Sequence, residues 1–166
     1  MAVPAPAAHY SLAQILLHWG IAALVVWQLV FGESLPEAER LARQGQTADA
    51  TTAFLADSHI WAGFAILALA ALRLILRMRR GTPQTEAANG LAAAVARWSH
   101  NLFYFLLFFM PITGILDYYF RLPTGVIHEL GKPAFIVLIA LHVAAALWHA
   151  VIRRDGTMRR MLIPAR

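Results

Sequence analysis

Cysteine is absent from all 166 residues. That excludes disulfides, Fe–S clusters and haem attached covalently through sulfur. Charge is scarce as well. Only 14% of residues are charged and 60% are apolar, where soluble domains average about 25% and 45–50%. A water-soluble globule is therefore the wrong class. No nucleic-acid partner is expected, because the arginines border apolar runs and no separate basic domain exists to read a duplex. Internal repeats and low-complexity tracts are missing too.

What is present is apolar length. Four segments, residues 12–31, 60–76, 102–119 and 133–152, each approach the roughly 17–25 residues a helix needs to cross a bilayer. The leader before the first has no Lys or Arg, and no small-residue cleavage site follows Phe31, so a retained span is expected in place of a signal peptide. Ten of the 14 basic residues fall on one side of the spans: Arg73, Arg77, Arg79, Arg80, Arg97, Arg153, Arg154, Arg159, Arg160 and Arg166. Arg40, Arg43, Arg121 and Lys132 fall on the other. The positive-inside rule then places both termini in the cytoplasm. The expected fold is all-α, one membrane-integral domain over residues 1–166, built as a transmembrane four-helix bundle.

Local signals refine this. Ser11 is placed to cap the first helix, and residues 36–44 predict a short surface helix in a polar outer connection. Asp57-Ser58 predict the start of the second helix. Residues 91–97 predict a short amphipathic approach to a third helix that begins near Trp98. Pro133 either bends the fourth helix or leaves His128 on a separate preceding turn.

The histidines carry the chemistry. His128 and His142 are fourteen residues apart, about 21 Å along a helix and close to four whole turns, so they share a face. One lies near each leaflet of a hydrocarbon core about 30 Å thick. Depth pairs His59 with His128 near the outer face and His18 with His142 towards the inner half. Single histidines in membrane helices serve as hydrogen-bonded packing residues, but four in two depth-matched pairs point to iron. Two imidazoles at one depth on different helices supply both axial bonds of a low-spin haem, the arrangement suited to electron transfer. Gly63 and Gly114 leave room for a flat ring, and Arg73 reaches the inner depth, where it pairs with a propionate. His9 lies in the polar leader and is expected to be exposed. The aromatics of the third helix, Phe103, Tyr104, Phe105, Phe108 and Phe109, are expected to face lipid or pack.

The ordered set HWG at His18, His59 with Gly63 and Arg73, SHNLFYFLLFFMPITG from Ser99, LHVAAALWH ending at His149, and the RRDGTMRRM tail resembles the bacterial cytochrome b561 family over nearly the whole chain. The resemblance implies two haems b in the bacterial inner membrane, the inner on His18 and His142 and the outer on His59 and His128. It implies an oxidoreductase that takes electrons from superoxide at the periplasmic face and passes them to ubiquinone. His149 then lines the quinone pocket, with His100 and Trp148 as inner-edge neighbours. Arg121 and Lys132, the basic residues flanking His128, are the candidates that attract the superoxide anion. The alternative is an electron-transfer subunit that docks a periplasmic dehydrogenase or c-type cytochrome. A structural membrane protein without cofactor fails on the four paired histidines.

Overall fold

The computed structural model describes residues 10–81 and 90–164. His9, residues 82–89 and Arg166 lie outside them. The described chain is helical: α1 (Leu12–Phe31), α2 (Ser34–Arg43), α3 (Ala50–Arg80), α4 (Leu91–Phe120), α5 (Gly125–Trp148), a π-helical turn (His149–Arg153) and α6 (Thr157–Arg160). Four of these helices are long and apolar enough to cross a membrane. They run up and down, so the start of α1 and the end of α5 share one end, rich in arginine, while α2 lies at the other.

Ser11 does cap α1. Its hydroxyl accepts from Gln14 N, and Gln14 Oε1 accepts from Ser11 N in return, a capping box. The Gln14 side chain also donates to the Gly81 carbonyl at 3.2 Å, tying the start of α1 to the end of α3. The predicted surface helix is α2, two residues earlier than expected.

Two expected boundaries are corrected. α3 starts at Ala50, not beyond Asp57-Ser58, because Asp49 caps it through Thr51 N and Thr52 N. Ser58 serves inside the helix: its hydroxyl accepts the Trp27 indole N–H at 3.0 Å and donates to Leu55 O. At about 1.5 Å per residue, 31 residues span roughly 46 Å, well beyond a hydrocarbon core. Residues 91–97 are not a separate approach either; they are the first turns of α4. Pro133 sits within an unbroken α5, so His128 and His142 belong to one helix.

Close packing joins α1 to α3, α3 to α4 and α4 to α5. Among the described residues, α5 does not pack closely on α1 or α3. Gly131 lets α5 approach α4, since a Cβ there would collide with the Met110 sulfur. The core is a single layer at mid-height, made of Ile21, Val25, Ile66, Ala70, Leu106, Leu107, Phe135 and Leu138. Its members lie between His18 and Phe31 on α1, between His59 and Arg73 on α3, and between His128 and His142 on α5. It therefore separates two levels of the bundle.

Candidate functional site

Both expected imidazole pairs form, one on each side of that layer. His59 and His128 have ring centroids 6.1 Å apart, and His18 and His142 are 6.2 Å apart. A metal–imidazole bond of about 2 Å, with about 1.2 Å from each nitrogen to its ring centre, sets two trans imidazole centroids about 6.4 Å apart. Both pairs have the separation of axial ligands on one iron, across the seam where α5 stays clear of α1 and α3.

At the outer level, the His128 Nδ1 donates to the Met110 carbonyl at 2.9 Å, with the Thr113 hydroxyl 3.3 Å away. A carbonyl only accepts, so Nδ1 carries the proton and Nε2 is left as the donor to a metal. Gly114 makes this possible: a Cβ there would lie 3.1 Å from His128 Cε1. Gly63 is less constrained, with the Gln28 amide nitrogen 3.6 Å from where its Cβ would be. Gln28 donates to the His59 carbonyl at 2.9 Å, while Gln28 Oε1 and His59 Nδ1 are buried with no hydrogen-bond partner. A cavity of about 490 Å³ reaches from His59 and His128 past Gly63 and Gly114 to Lys132. That is the size and lining a flat prosthetic group requires.

At the inner level, His142 is also met by Phe103 (5.2 Å) and by His100 (5.8 Å). His100 Nδ1 donates to Ala96 O at 2.6 Å. Arg73 acts electrostatically on His18, His100 and His142, and its Nη1 is buried without a partner. A buried guanidinium nitrogen without a partner calls for an anion, and the haem propionate expected at this depth would supply one. Arg77 lies over the Tyr104 ring at 5.5 Å. Nearby, burial raises the Tyr10 phenol above its ordinary pKa, while Arg73, Arg77 and Arg160 pull the other way.

The inner-edge trio separates. His100 turns to His142, Trp148 is exposed, and His149 turns away to a residue that sequence reasoning missed. His149 Nδ1 donates to Asp155 Oδ2 at 2.5 Å. Asp155 Oδ1 accepts Thr157 N at 3.0 Å, and Arg153 Nε stands 3.8 Å from Oδ2. Burial pushes the Asp155 carboxyl up, but hydrogen bonds from Thr157 and His149 outweigh it and hold the group below its usual range. Gln28 and Asp155 were both visible as signals: one is an amide inside a span, the other an acid among arginines.

At the outer rim, Lys132 lines the cavity and is paired with Glu33 at the head of α2. Arg121 ends α4 in a left-handed conformation (φ 55°), its guanidinium 5.8 Å from the Tyr118 ring centre.

The profile of the family described as "Prokaryotic cytochrome b561" matches residues 9–163. The chain is 30% identical to a protein of Cereibacter sphaeroides named "Cytochrome b562", across 93% of this chain and 96% of that one. It is 25% identical to the "Probable superoxide oxidase CybB" of Yersinia pestis, across 92% and 95%.

Proposed function

The chain belongs to the prokaryotic cytochrome b561 family, a family of membrane electron-transfer proteins carrying haem b, and from that premise we propose that it oxidises superoxide at the outer face and reduces ubiquinone at the cytoplasmic edge of the bacterial inner membrane. The observation that carries this reading is the pair of imidazole bridges, each about 6 Å across, stacked on one helix with a core layer between them. The arginine-rich end faces the cytoplasm by the positive-inside rule. In the net reaction, two superoxide anions lose one electron each and leave as dioxygen, and one quinone gains two electrons and two protons to become quinol.

His59 with His128 and His18 with His142 would each hold one haem b, which would supply a one-electron centre at each level. The residues do the rest. His59 and His128 hold the outer group, and the Met110 carbonyl fixes the His128 ring. His18 and His142 hold the inner one, with Arg73 offered to its propionate. Phe135 and Leu138 keep water from the layer between. Lys132 lines the outer mouth and Arg121 flanks His128 in sequence, and they are the cations offered to a small anion that needs only close approach. His149 faces the quinone at the cytoplasmic edge.

A second reading has one observation in its favour. Lys132 is neutralised by Glu33 and Arg43 offsets Glu39, but Asp117 and Glu129 also line the cavity, so its rim is acidic and suited to a basic redox protein. Stopped-flow mixing of the haem-loaded protein with superoxide separates the two. Fast haem reduction that slows with ionic strength, followed by reoxidation with a short-chain ubiquinone, is the expected result. Slow reduction indifferent to salt removes superoxide as donor and leaves the docked protein.

A further inference from the structure

Asp155 is the one acidic side chain among the described residues at the arginine-rich end. Arg153, Arg154, Arg159 and Arg160 stand within five residues of it, so a guanidinium would be its ordinary partner. Instead its shortest contact is to an imidazole: 2.5 Å to His149 Nδ1, against 3.8 Å to Arg153 Nε. Arg160 donates to the backbone carbonyl of Asp155 at 3.3 Å. The Asp155 side chain is only 12% exposed, against 30% for the imidazole.

The backbone is shaped to make this contact. α5 gives way to the π-helical turn at His149, a distortion that concentrates at functional sites. Arg154 (φ 50°) and Gly156 (φ 74°) then adopt left-handed conformations on either side of Asp155 and reverse the chain. The returning segment is held by the Trp19 indole, which donates to Met161 O at 2.9 Å. One carboxylate oxygen serves the turn through Thr157 N and the other is left for the imidazole. Because a carboxylate only accepts, Nδ1 carries the proton and Nε2 is left as the second ring nitrogen, with no hydrogen bond to any described residue.

We propose that Asp155 is a positioning residue for quinone reduction: it fixes the His149 tautomer and stabilises the doubly protonated ring, so that Nε2 delivers a proton to the reduced quinone oxygen. This rests on the reading of His149 as the quinone-facing residue. Of the two protons that accompany two electrons to quinol, one passes from His149 Nε2, which is reprotonated from water at the inner face, and the other comes from that water. Among the described residues, the charged groups that meet the dyad are Arg153 from the π-helical turn, at the Asp155 carboxylate, and Arg160 from α6, at the Asp155 carbonyl. The roles match those of a histidine and its orienting carboxylate in general acid catalysis.

The test uses full-length haem-loaded protein, pre-reduced and mixed with a short-chain ubiquinone across a range of pH. Asp155→Asn keeps an oxygen for the turn and removes the charge; Asp155→Ser does the same through a hydroxyl should the Asn variant not accumulate. Haem content and dithionite reducibility are expected to stay intact. Reoxidation by quinone is expected to slow about tenfold or more, and its fall with rising pH to move to lower pH. Asp155→Glu should restore most of the rate, and His149→Ala should be slow at every pH. If His149→Ala is slow but Asp155→Asn matches the wild type, Asp155 has no part and the quinone reading stands. If neither is slow, His149 does not face the quinone and the dyad falls with it. A uniform slowing in Asp155→Asn with an unchanged pH profile and no rescue by Glu makes Asp155 a turn residue only.

Discussion

The outer and inner imidazole pairs are nearly equal in span and unlike in surroundings. Around His59 and His128 the neighbours are neutral dipoles: the Met110 carbonyl, the Thr113 hydroxyl and the Gln28 amide. The mouth above them is lined by α2, Asp117 and Glu129. Around His18 and His142 lie a third imidazole, the Phe103 ring and the unpaired Arg73 guanidinium. One helix thus presents the same kind of side chain to a neutral setting at one level and a positive one at the other. A positive field favours the reduced form of a one-electron centre, so the inner site should hold the higher potential and draw electrons inward.

The sharpest break of this comparison is removal of one ligand. Wild-type protein should carry two haems b, and His59→Ala or His18→Ala should leave one each, of opposite identity. Pyridine haemochrome quantitation with potentiometric titration reads both number and identity; a single haem in the wild type would overturn the paired assignment.

A milder lesion should touch the outer site alone. Gly114→Ala pushes a methyl towards His128 Cε1, within 3.1 Å, in a packed helix pair. Overpacking of this kind costs about 1–3 kcal/mol, so purified Gly114→Ala should hold less outer haem while the inner signal persists. Gly63→Ala meets only ordinary protein contact at 3.6 Å, so it should leave the His128 ring in place and cost less outer haem than Gly114→Ala.

Arg73→Gln inverts the test. It removes the inner cation and should lower the inner potential by about 60 mV, one tenfold in a one-electron equilibrium, with the outer potential unmoved. Equal shifts at both levels would mean that the field is not local.

The smallest effect belongs to the rim. Arg121→Gln with Lys132→Gln should slow superoxide reduction about two- to threefold, because Glu33 already offsets Lys132. Glu33→Gln should speed it and steepen its salt dependence, with the step to quinone unchanged.

Much of this was legible before any coordinates. Apolar length and the arginine bias define four spans and their alternation, because a bilayer demands both in sequence. Depth came with them: at a fixed rise per residue, counting along a span places His18, His59, His128 and His142 at their levels. Helix starts were less legible. The Asp57-Ser58 signal is a good cap locally, but the Trp27 indole, from another helix, claims the Ser58 hydroxyl inside α3.

By itself, then, the sequence determined the class of fold, the levels and which imidazoles come together, all of which follow from one-dimensional spacing on a regular helix. Only the tertiary structure decided the neighbours. His100 faces His142 and not His149, because the rotation of α4 about its own axis is set by how it packs on α5. Lys132 is neutralised by Glu33 from 99 residues away, and Asp155 meets His149 because two left-handed residues turn the chain back. Rotation, long-range pairing and chain reversal leave no period in a sequence, since each depends on what the rest of the fold brings alongside.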